Sequence, residues 1–436
     1  MAFLDGRQNP IKEISKDQLE ILFEELADVF GIEWLNSVGN HPVQNLWQRK
    51  DPLSTNELFT LSYAMSRLRK IDSSWISHQI KQMVHGDKNN LRGATFELIG
   101  INSLINTGSY NVIPAKRNQA GIDSHVVFND GGQINISLKN YSISRHEDFF
   151  IGESEKIKSE MLKTLNAMRI KKLQLFVDSP NQYPMALDWK LLMSKLPKII
   201  SQFQGQPISC NIDEKWYISM ADLKEPLDPG FISYTIVVSS RYHDNEKLNL
   251  FSKMDEAAAN LKEHTSDDNN VVSLIYFRLP LTASAKNCMK WAEDYFRNDS
   301  DKLISGVLFY QPAIVSDFEG KSMISHHVHA VFSKYYYGWL GRHSNNKLFF
   351  SFPVGIVLQE PSEMILTNGK EKIVSVNDRY IFQSGEHYQS ASAAYGYYEG
   401  HVKQLGPGIQ QYVVFQPSRD GQVVINGLFG DQLLIL

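Results

Sequence analysis

Apolar residues recur at helical spacing through the first ninety residues of the chain. Three stretches carry this repeat, and two begin with a Ser-x-x-Gln or Ser-x-x-Glu pattern, at Ser15 and Ser54, that is typical of a helix N-terminus. The repeats consist of Leu19, Leu22, Phe23, Leu26, Val29 and Phe30; of Leu58, Leu61, Met65 and Leu68; and of Trp75, Ile76, Ile80, Met83 and Val84. We therefore predict a helical N-terminal region over residues 1–90.

Between residues 91 and 178 the pattern changes to helix, three strands, helix and strand. A broad apolar helical face in LRGATFELIGINSLINTG ends at Gly108, and the short runs YNVIPA, SHVVF and QINISLK follow as strands. The turn sequence Asn129-Asp130-Gly131-Gly132 predicts a hairpin between the second and third strands. An amphipathic helix over about residues 153–172 and the strand LQLFVD complete the series.

Three charged residues stand at positions in this series where charge needs an explanation. Glu97 lies within the apolar helix, where an ionised carboxylate costs several kcal/mol without a cation or hydrogen-bond donors. Asp123 precedes the second strand, and Lys139 shares the polar face of the third strand with Asn135 and Ser137. Since chance alone gives such residues to many α/β proteins, the order of the elements is what makes the set informative.

This order of elements, with these charged residues, resembles the PD-(D/E)xK nuclease superfamily, also called restriction-endonuclease-like. The resemblance covers residues 91 to 178 and implies an αβββαβ core of mixed α/β class. It also implies that Glu97 is the helix acid at the metal site, acting through a ligand water or orienting Lys139. Asp123 is then the metal-bridging aspartate, and Lys139 is the lysine that positions or polarises the attacking water. The expected cofactor is Mg²⁺, with Mn²⁺ as a substitute, because hard oxygen ligands suit these ions.

The chain departs from the family pattern at Ser137, where the family has an acid two residues before the lysine. One hypothesis is that the serine leaves the site inactive. The other is that the acid is displaced, since some restriction endonucleases of this superfamily take a glutamate from the following helix. Glu153, 14 residues beyond Lys139, matches their spacing and is our first choice for a metal ligand. Nearby competitors are Glu147, Asp148 and Glu155.

The rest of the chain predicts further structured regions. We assign residues 91–204 to the nuclease-like core, and residues 205–335 to a second α/β unit with a largely parallel sheet, because strands alternate with helices there. Residues 336–436 are rich in short β runs separated by Gly, Asn and Asp, and form a β-rich C-terminal region.

Composition narrows the class of protein. A hydrophobic fraction of 42% and a net charge of −4 indicate folded domains and argue against a protein that coats nucleic acid nonspecifically. Residues 81–172 are locally basic, with 13 Lys and Arg against 9 Asp and Glu, which is compatible with a specific encounter with DNA. We expect neither a signal peptide nor a membrane-spanning segment, and we predict that the two cysteines are free thiols of a cytoplasmic protein.

The leading hypothesis is a metal-dependent DNA endonuclease, either a type II restriction enzyme or another defence enzyme. It would act on double-stranded DNA as a homodimer or larger homo-oligomer, because cutting both strands usually takes two sites. The alternative is a catalytically inactive nuclease fold that binds nucleic acid or another partner. A third reading is an unrelated enzyme with a metal on His327 and His329, which share one face if their segment is a strand.

Overall fold

The computed structural model describes most of the chain between residues 14 and 357 and several strands beyond it. The described residues are Arg7, 14–37, 41–50, 52–86, 88–105, 108–116, 119, 121–141, 144–222, 231–262, 268–280, 283–297, 304–316, 322–357, 363–366, 372–375, 379–380, 383–384, 387–397, 411–415 and 422–426. The fold is mixed α/β, with 11 helices in this part of the chain and two mixed seven-stranded sheets.

The helices are numbered in chain order. They are α1 Lys16–Phe30, α2 Ile32–Asn36, α3 Pro42–Gln48, α4 Pro52–Arg69, α5 Ser73–His85, α6 Lys88–Leu104, α7 Arg145–Ala167, α8 Ala186–Ile200, α9 Glu246–Lys262, α10 Ala285–Arg297 and α11 Lys334–Arg342. The predicted capping box is present at Ser15 and Gln18. At α4 the prediction is wrong by two residues, because Pro52 at the helix start precedes Ser54, whose hydroxyl donates to the Arg49 carbonyl.

The strands are also numbered in chain order. They are β1 Tyr110–Pro114, β2 Ser124–Phe128, β3 Gln133–Asn140, β4 Lys172–Ser179, β5 Ile208–Ile212, β6 Trp216–Ala221, β7 Phe231–Arg241, β8 Val271–Arg278, β9 Gly306–Ser316, β10 Ser322–Phe332, β11 Ile356–Val357, β12 Glu363–Leu366, β13 Lys372–Ser375, β14 Arg379–Tyr380, β15 Gln383–Ser384, β16 His387–Tyr397, β17 Gln411–Phe415 and β18 Gln422–Asn426.

Contacts divide the chain into two compact units. The first unit comprises Met1–Ser142, Lys247–Pro361 and Asp431–Leu436, and the second comprises Ile143–Glu246 and Ser362–Gly430. These bounds differ from the four predicted regions. The predicted helical region and the first half of the predicted core belong to one unit, whereas the second half of that core belongs to the other.

The first unit is built on the sheet β1-β2-β3-β8-β9-β10-β11. The pairs β1–β2, β2–β3 and β9–β10 are antiparallel, and β3–β8 and β8–β9 are parallel. Leu138 and Tyr276 lie in register on the face that packs with the N-terminal helices, while Ile275 and Phe277 pack on the other face with α9 and α10. Each face of the central strands is therefore buried in an apolar core.

The element order α6, β1, β2, β3, α9, β8 occurs within the first unit, with residues 143–246 standing between β3 and α9. Helix α9 packs its apolar side against Ala115, Ile122 and Tyr141 beside the hairpin. The sequence prediction that α7 and β4 complete the core is wrong. Strand β8, rather than β4, pairs in parallel with β3.

The second unit contains the sheet β14-β15-β16-β7-β4-β6-β5. Strands β4 and β7 are parallel neighbours in its centre, and α7 and α8 pack with them around Trp189 and Trp216. The predicted 205–335 unit is therefore split, because β7 belongs to this sheet while β8, β9 and β10 belong to the other. The C-terminal residues contribute β16 to it and also form the separate hairpins β12–β13 and β17–β18.

In the part that the structure describes, no helix is both long and apolar enough to cross a membrane. Cys210 and Cys288 are both free thiols, and the Cys288 side chain is buried.

Candidate active site

Glu97 is held by the packing of α6 on β3. Its neighbours Phe96, Leu98 and Ile99 are buried in the first unit's core. Gly100 follows one turn later, and a Cβ at that position would lie 2.4 Å from Cδ2 of Leu138. Glycine thus allows α6 to approach the strand that carries Lys139, which places the Glu97 carboxylate beside the hairpin.

Asp123 is fixed by backbone and side-chain hydrogen bonds at the start of β2. Its N–H donates to the Ile136 carbonyl at 2.9 Å, and its carbonyl accepts from the Ala115 N–H at 2.9 Å. Its carboxylate oxygen Oδ2 accepts from the Leu138 N–H at 2.6 Å. Strands on both sides therefore position this carboxylate independently of any ligand.

Lys139 projects from the polar face of β3. By strand geometry it shares this face with Asn135 and Ser137. Its Nζ lies 4.0 Å from Oδ2 of Asp123, at the limit of an ion pair. The Lys139 side chain is 36% exposed and that of Asp123 is 20% exposed, so solvent reaches the pair. The structure thus brings Glu97, Asp123 and Lys139 together from a helix, a strand start and a strand.

Both carboxylates of this group are hard to ionise. Burial, followed by the neighbouring Asp123 charge, raises the pKa of Glu97 to about 8, although Lys139 and Gln79 oppose the shift. Burial also raises the pKa of Asp123, and this shift is opposed by Lys139, the Leu138 N–H and the Ser137 hydroxyl. Two carboxylates that share one lysine therefore leave an excess of negative charge when both ionise, which a cation would relieve.

Gln79 is a site residue that the sequence analysis missed. It lies on α5, is buried, and its amide Nε2 donates to Oε2 of Glu97 at 2.6 Å. Gln79 falls among Ile76, Ile80 and Met83 in an otherwise apolar helical repeat. Because buried polar groups are hydrogen-bonded, this position indicates that its amide has a polar partner. The partner lies on another helix, and the local pattern does not identify it.

A second feature missed from the sequence is a polar network on the same hairpin. The His125 ring contacts Asn135 Oδ1 at 2.8 Å through Nδ1 and Gln119 Oε1 at 3.1 Å through Nε2. Gln133 Nε2 donates to Asn135 Oδ1 at 2.7 Å. This network fixes β2 against β3 on the face that carries Ser137 and Lys139, and so stiffens the platform of the site.

No family model, curated protein or solved structure matches the chain. What these side chains do must therefore be argued from their own geometry.

Glu153 is placed in the second unit, on α7, where its Oε1 pairs with Lys156 Nζ at 2.5 Å. The competitors Glu147, Asp148 and Glu155 lie on the same helix, and Glu155 pairs with Lys158 at 2.6 Å. The three residues that the structure brings together are all in the first unit. The assignment of Glu153 as the displaced metal ligand stays a prediction.

The histidine segment lies on β10. His327 is fully buried on β10, and its neighbour His326 stacks on Phe352 with ring centroids 3.9 Å apart. His326 Nε2 lies 2.7 Å from the Val354 carbonyl, and burial lowers its pKa to about 4. Among the residues that the structure describes, no three His, Cys, Asp or Glu side chains form a group that could hold a metal ion. The histidine hypothesis gains no support here.

Proposed function

We propose that the protein is a metal-dependent endonuclease that hydrolyses phosphodiester bonds of double-stranded DNA. The observation that carries this proposal is the convergence of Glu97, Asp123 and Lys139 on one partly solvent-exposed point, from α6, the start of β2 and β3. A titratable group shifted by burial and a charged partner is a candidate for chemistry. Here two such groups share one lysine.

The element order supports the same proposal. The PD-(D/E)xK resemblance implies helix, three strands, helix and strand, and the first unit has α6, β1, β2, β3, α9 and β8 in that order. The three residues stand on the elements where the resemblance expects them. The second unit is then an insertion between the third strand and the second helix of such a core.

The donor set fits a small hard cation. A carboxylate has about four lone-pair sites, so Glu97 and Asp123 remain candidate ligands beside the hydrogen bonds that they accept from Gln79 and Leu138. Mg²⁺ is usually bound by one or two carboxylates, with water and substrate phosphate completing its shell. A bound divalent cation would supply charge neutralisation for the phosphate and acidify a water molecule. Mn²⁺ suits the same oxygen ligands.

Lys139 has the positioning role in this account. Its ammonium, 4.0 Å from Asp123, carries three donors that can hold a water molecule or a phosphate oxygen next to the carboxylates. It also lowers the pKa of both acids and so favours the ionised forms that bind a cation. Oriented donors of this kind stabilise developing negative charge during phosphoryl transfer.

A nuclease fold without catalysis is the second candidate, and Ser137 favours it. The hydroxyl replaces the acid that the resemblance expects, and a neutral hydroxyl is a weaker cation ligand than a carboxylate. In that case the protein would bind nucleic acid or another partner without cutting it. We favour the active enzyme because two carboxylates and a lysine remain in place.

The wider setting of the proposal follows from the chemistry. Cutting both strands of a duplex usually takes two such sites, so we propose a homodimer or larger homo-oligomer. The biological role that fits is restriction or defence, in the cytoplasm.

The testing experiment is a cleavage assay on mixed plasmid and phage DNA with Mg²⁺, with Mn²⁺ and with EDTA. We expect discrete metal-dependent fragments, and we expect Asp123→Ala and Lys139→Ala to abolish them. Glu153→Gln then tests the displaced ligand. If the folded wild type cuts neither DNA nor RNA with either metal, and calorimetry finds no Mn²⁺ binding, the inactive fold is correct.

A further inference from the structure

The second unit contains a cavity of about 420 Å³ at the carboxyl ends of its two central parallel strands. Its walls come from the segment after β4, with Asn181, Gln182 and Tyr183, and from the end of β7 onward, with Arg241, Tyr242 and His243. Ligands of open α/β sheets bind outside the carboxyl ends of parallel strands. The volume lies in the range of small-molecule sites. We call this the Tyr183 cavity.

The aromatic walls of the Tyr183 cavity are held in place by contacts with one another and with neighbouring residues. The Tyr183 hydroxyl donates to the His146 carbonyl at 2.8 Å, and its ring meets His243 edge-on at 5.0 Å. His243 stacks in parallel on His146 with centroids 3.5 Å apart, and Tyr242 packs on Tyr388 at 4.7 Å. The rings are therefore already ordered, which lowers the entropic cost of binding a flat ligand.

Apolar groups also stand exposed next to these rings. Met185, which lines the cavity, is 60% exposed, and Phe149, whose ring lies 6.5 Å from that of Tyr183, is 38% exposed. Large apolar side chains at the edge of a polar cavity are typical of a binding surface. Together with the tyrosines, they favour a planar aromatic ligand.

The polar groups of the Tyr183 cavity match the edge of a nucleobase. The amides of Asn181 and Gln182 each offer donors and an acceptor, the pairing that reads base edges. The Ser179 hydroxyl anchors this loop by donating to the Gln182 carbonyl at 2.9 Å. His243 Nδ1 accepts from the Asn245 N–H at 3.1 Å, so the neutral ring carries its proton on Nε2 as a further donor.

The charges of the cavity limit the phosphate content of the ligand. Arg241 supplies one guanidinium, which suits a phosphate, and Asp244 supplies one carboxylate. Burial raises the pKa of the Tyr183 hydroxyl, and the carboxylates of Glu246 and Glu153 also act on Tyr183 and raise this pKa further. With one guanidinium among these carboxylates, the cavity suits at most a single phosphodiester or monophosphate and is poorly matched to a di- or triphosphate.

We propose that the Tyr183 cavity binds one nucleobase together with its adjacent phosphate. The base could come from an unstacked position in a DNA strand or from a free mononucleotide, since both offer the same chemistry. Bases taken out of a stack are bound between aromatic side chains and read through hydrogen bonds to their edge. The proposal concerns residues of the second unit and does not require that the first unit cuts DNA.

The test measures binding by full-length protein in EDTA, where metal-dependent cleavage cannot occur. The probes are a fluorescein-labelled 12-nucleotide single strand, the same strand with abasic positions, and the four deoxynucleoside 5′-monophosphates as competitors. We expect the wild type to bind the abasic strand at least about tenfold more weakly than the intact strand, given the usual contribution of base stacking. Tyr183→Ala and Arg241→Gln should bind the intact strand more weakly by a similar factor. Tyr183→Phe keeps the ring and should retain binding, as should Lys190→Gln, an exposed cation on α8 outside the cavity.

The outcomes separate the sources of the base. Displacement of the strand by monophosphates, with the same dependence on Tyr183 and Arg241, identifies a free nucleotide as ligand, and failure of displacement identifies the strand. Equal binding of the base-containing and abasic strands together with no monophosphate binding overturns the proposal. So does wild-type binding by folded Arg241→Gln. Because Arg241 is exposed, this variant keeps the test valid if Tyr183→Ala fails to fold.

Discussion

The side-chain amide of Gln79 donates a 2.6 Å hydrogen bond to the Glu97 carboxylate, joining α5 to the candidate active site. Gln79 stands 18 residues before Glu97 and on a different helix. The N-terminal helices therefore do more than cover one face of the first unit's sheet. Through Gln79 they also favour the ionised form of one of the two acids of the site.

Replacing Gln79 with leucine should raise the pKa of Glu97, because the hydrogen bond favours the ionised carboxylate. A cation binds only the ionised form, so the pH of half-maximal Mn²⁺ binding should rise by about one unit. Calorimetry over a pH series measures this. Gln82→Leu, the same change on the same helix, is the control, and an equal shift in both variants would contradict the account.

The stability of the metal-free protein should depend on pH through Glu97. Its pKa is about 8 in the fold and 4.5 ordinarily, so between these values the unfolded chain binds fewer protons than the native state. Stability then falls as pH rises. Relative to Glu97→Gln, the wild type should lose up to a few kcal/mol of unfolding free energy between about pH 5 and about pH 8 in EDTA. Urea unfolding at both pH values measures this difference, and parallel pH profiles would rule it out.

Lys139→Met should slow cleavage by about 100-fold or more, because it removes the oriented donor beside both acids. It should also raise the pKa of Glu97 and Asp123, which the ammonium now lowers, and so weaken Mn²⁺ binding near neutral pH. Single-turnover cleavage rates test the first effect. Lys116→Met removes an exposed lysine of the same unit and should cut at the wild-type rate. If Lys139→Met also cuts at the wild-type rate, the role assigned to Lys139 is wrong.

Gly121→Ala should destabilise the site more than Gly131→Ala does. Both glycines have φ near +85°, so both substitutions add backbone strain. A Cβ at Gly121 would also meet α9 at Asn260, 2.7 Å from its Cβ and 2.9 Å from its carbonyl carbon, whereas nothing lies within 4 Å at Gly131. We expect an additional loss of about 1–3 kcal/mol at Gly121 by urea unfolding. Equal losses of unfolding free energy in the two variants would mean that α9 moves away from the added methyl group without a loss of stability.

Sequence patterns a few residues long were enough to predict the β2–β3 hairpin and the two faces of β3. The Asn129-Asp130-Gly131-Gly132 sequence gives the β2–β3 hairpin, in which the Phe128 N–H donates to the Gly132 carbonyl. The alternation along QINISLK likewise places Ser137 and Lys139 on one face. Such features depend on residues a few positions apart, and strand periodicity is enough to predict them.

The pairing of distant elements could not be predicted in this way. The segments α7–β4 and α9–β8 both read as an amphipathic helix followed by an apolar strand. Which of them joins β3 depends on contacts such as Leu138 opposite Tyr276, which periodicity does not encode. The sequence analysis matched consecutive elements to the αβββαβ order, and LQLFVD is the first strand after the hairpin, so β4 was assigned to the core. Gln79 was missed for the same reason, since its partner lies on another helix.

The most direct test of the proposed nuclease site is the rate at which Asp123→Asn cuts DNA in Mg²⁺ under single-turnover conditions. This isosteric change removes the charge that would hold the cation, and we predict a loss of at least about 100-fold. Asp28→Asn, on the exposed side of α1 in the same unit, should cut like wild type. Wild-type cleavage by Asp123→Asn, with folding verified by its unfolding transition, would contradict the account.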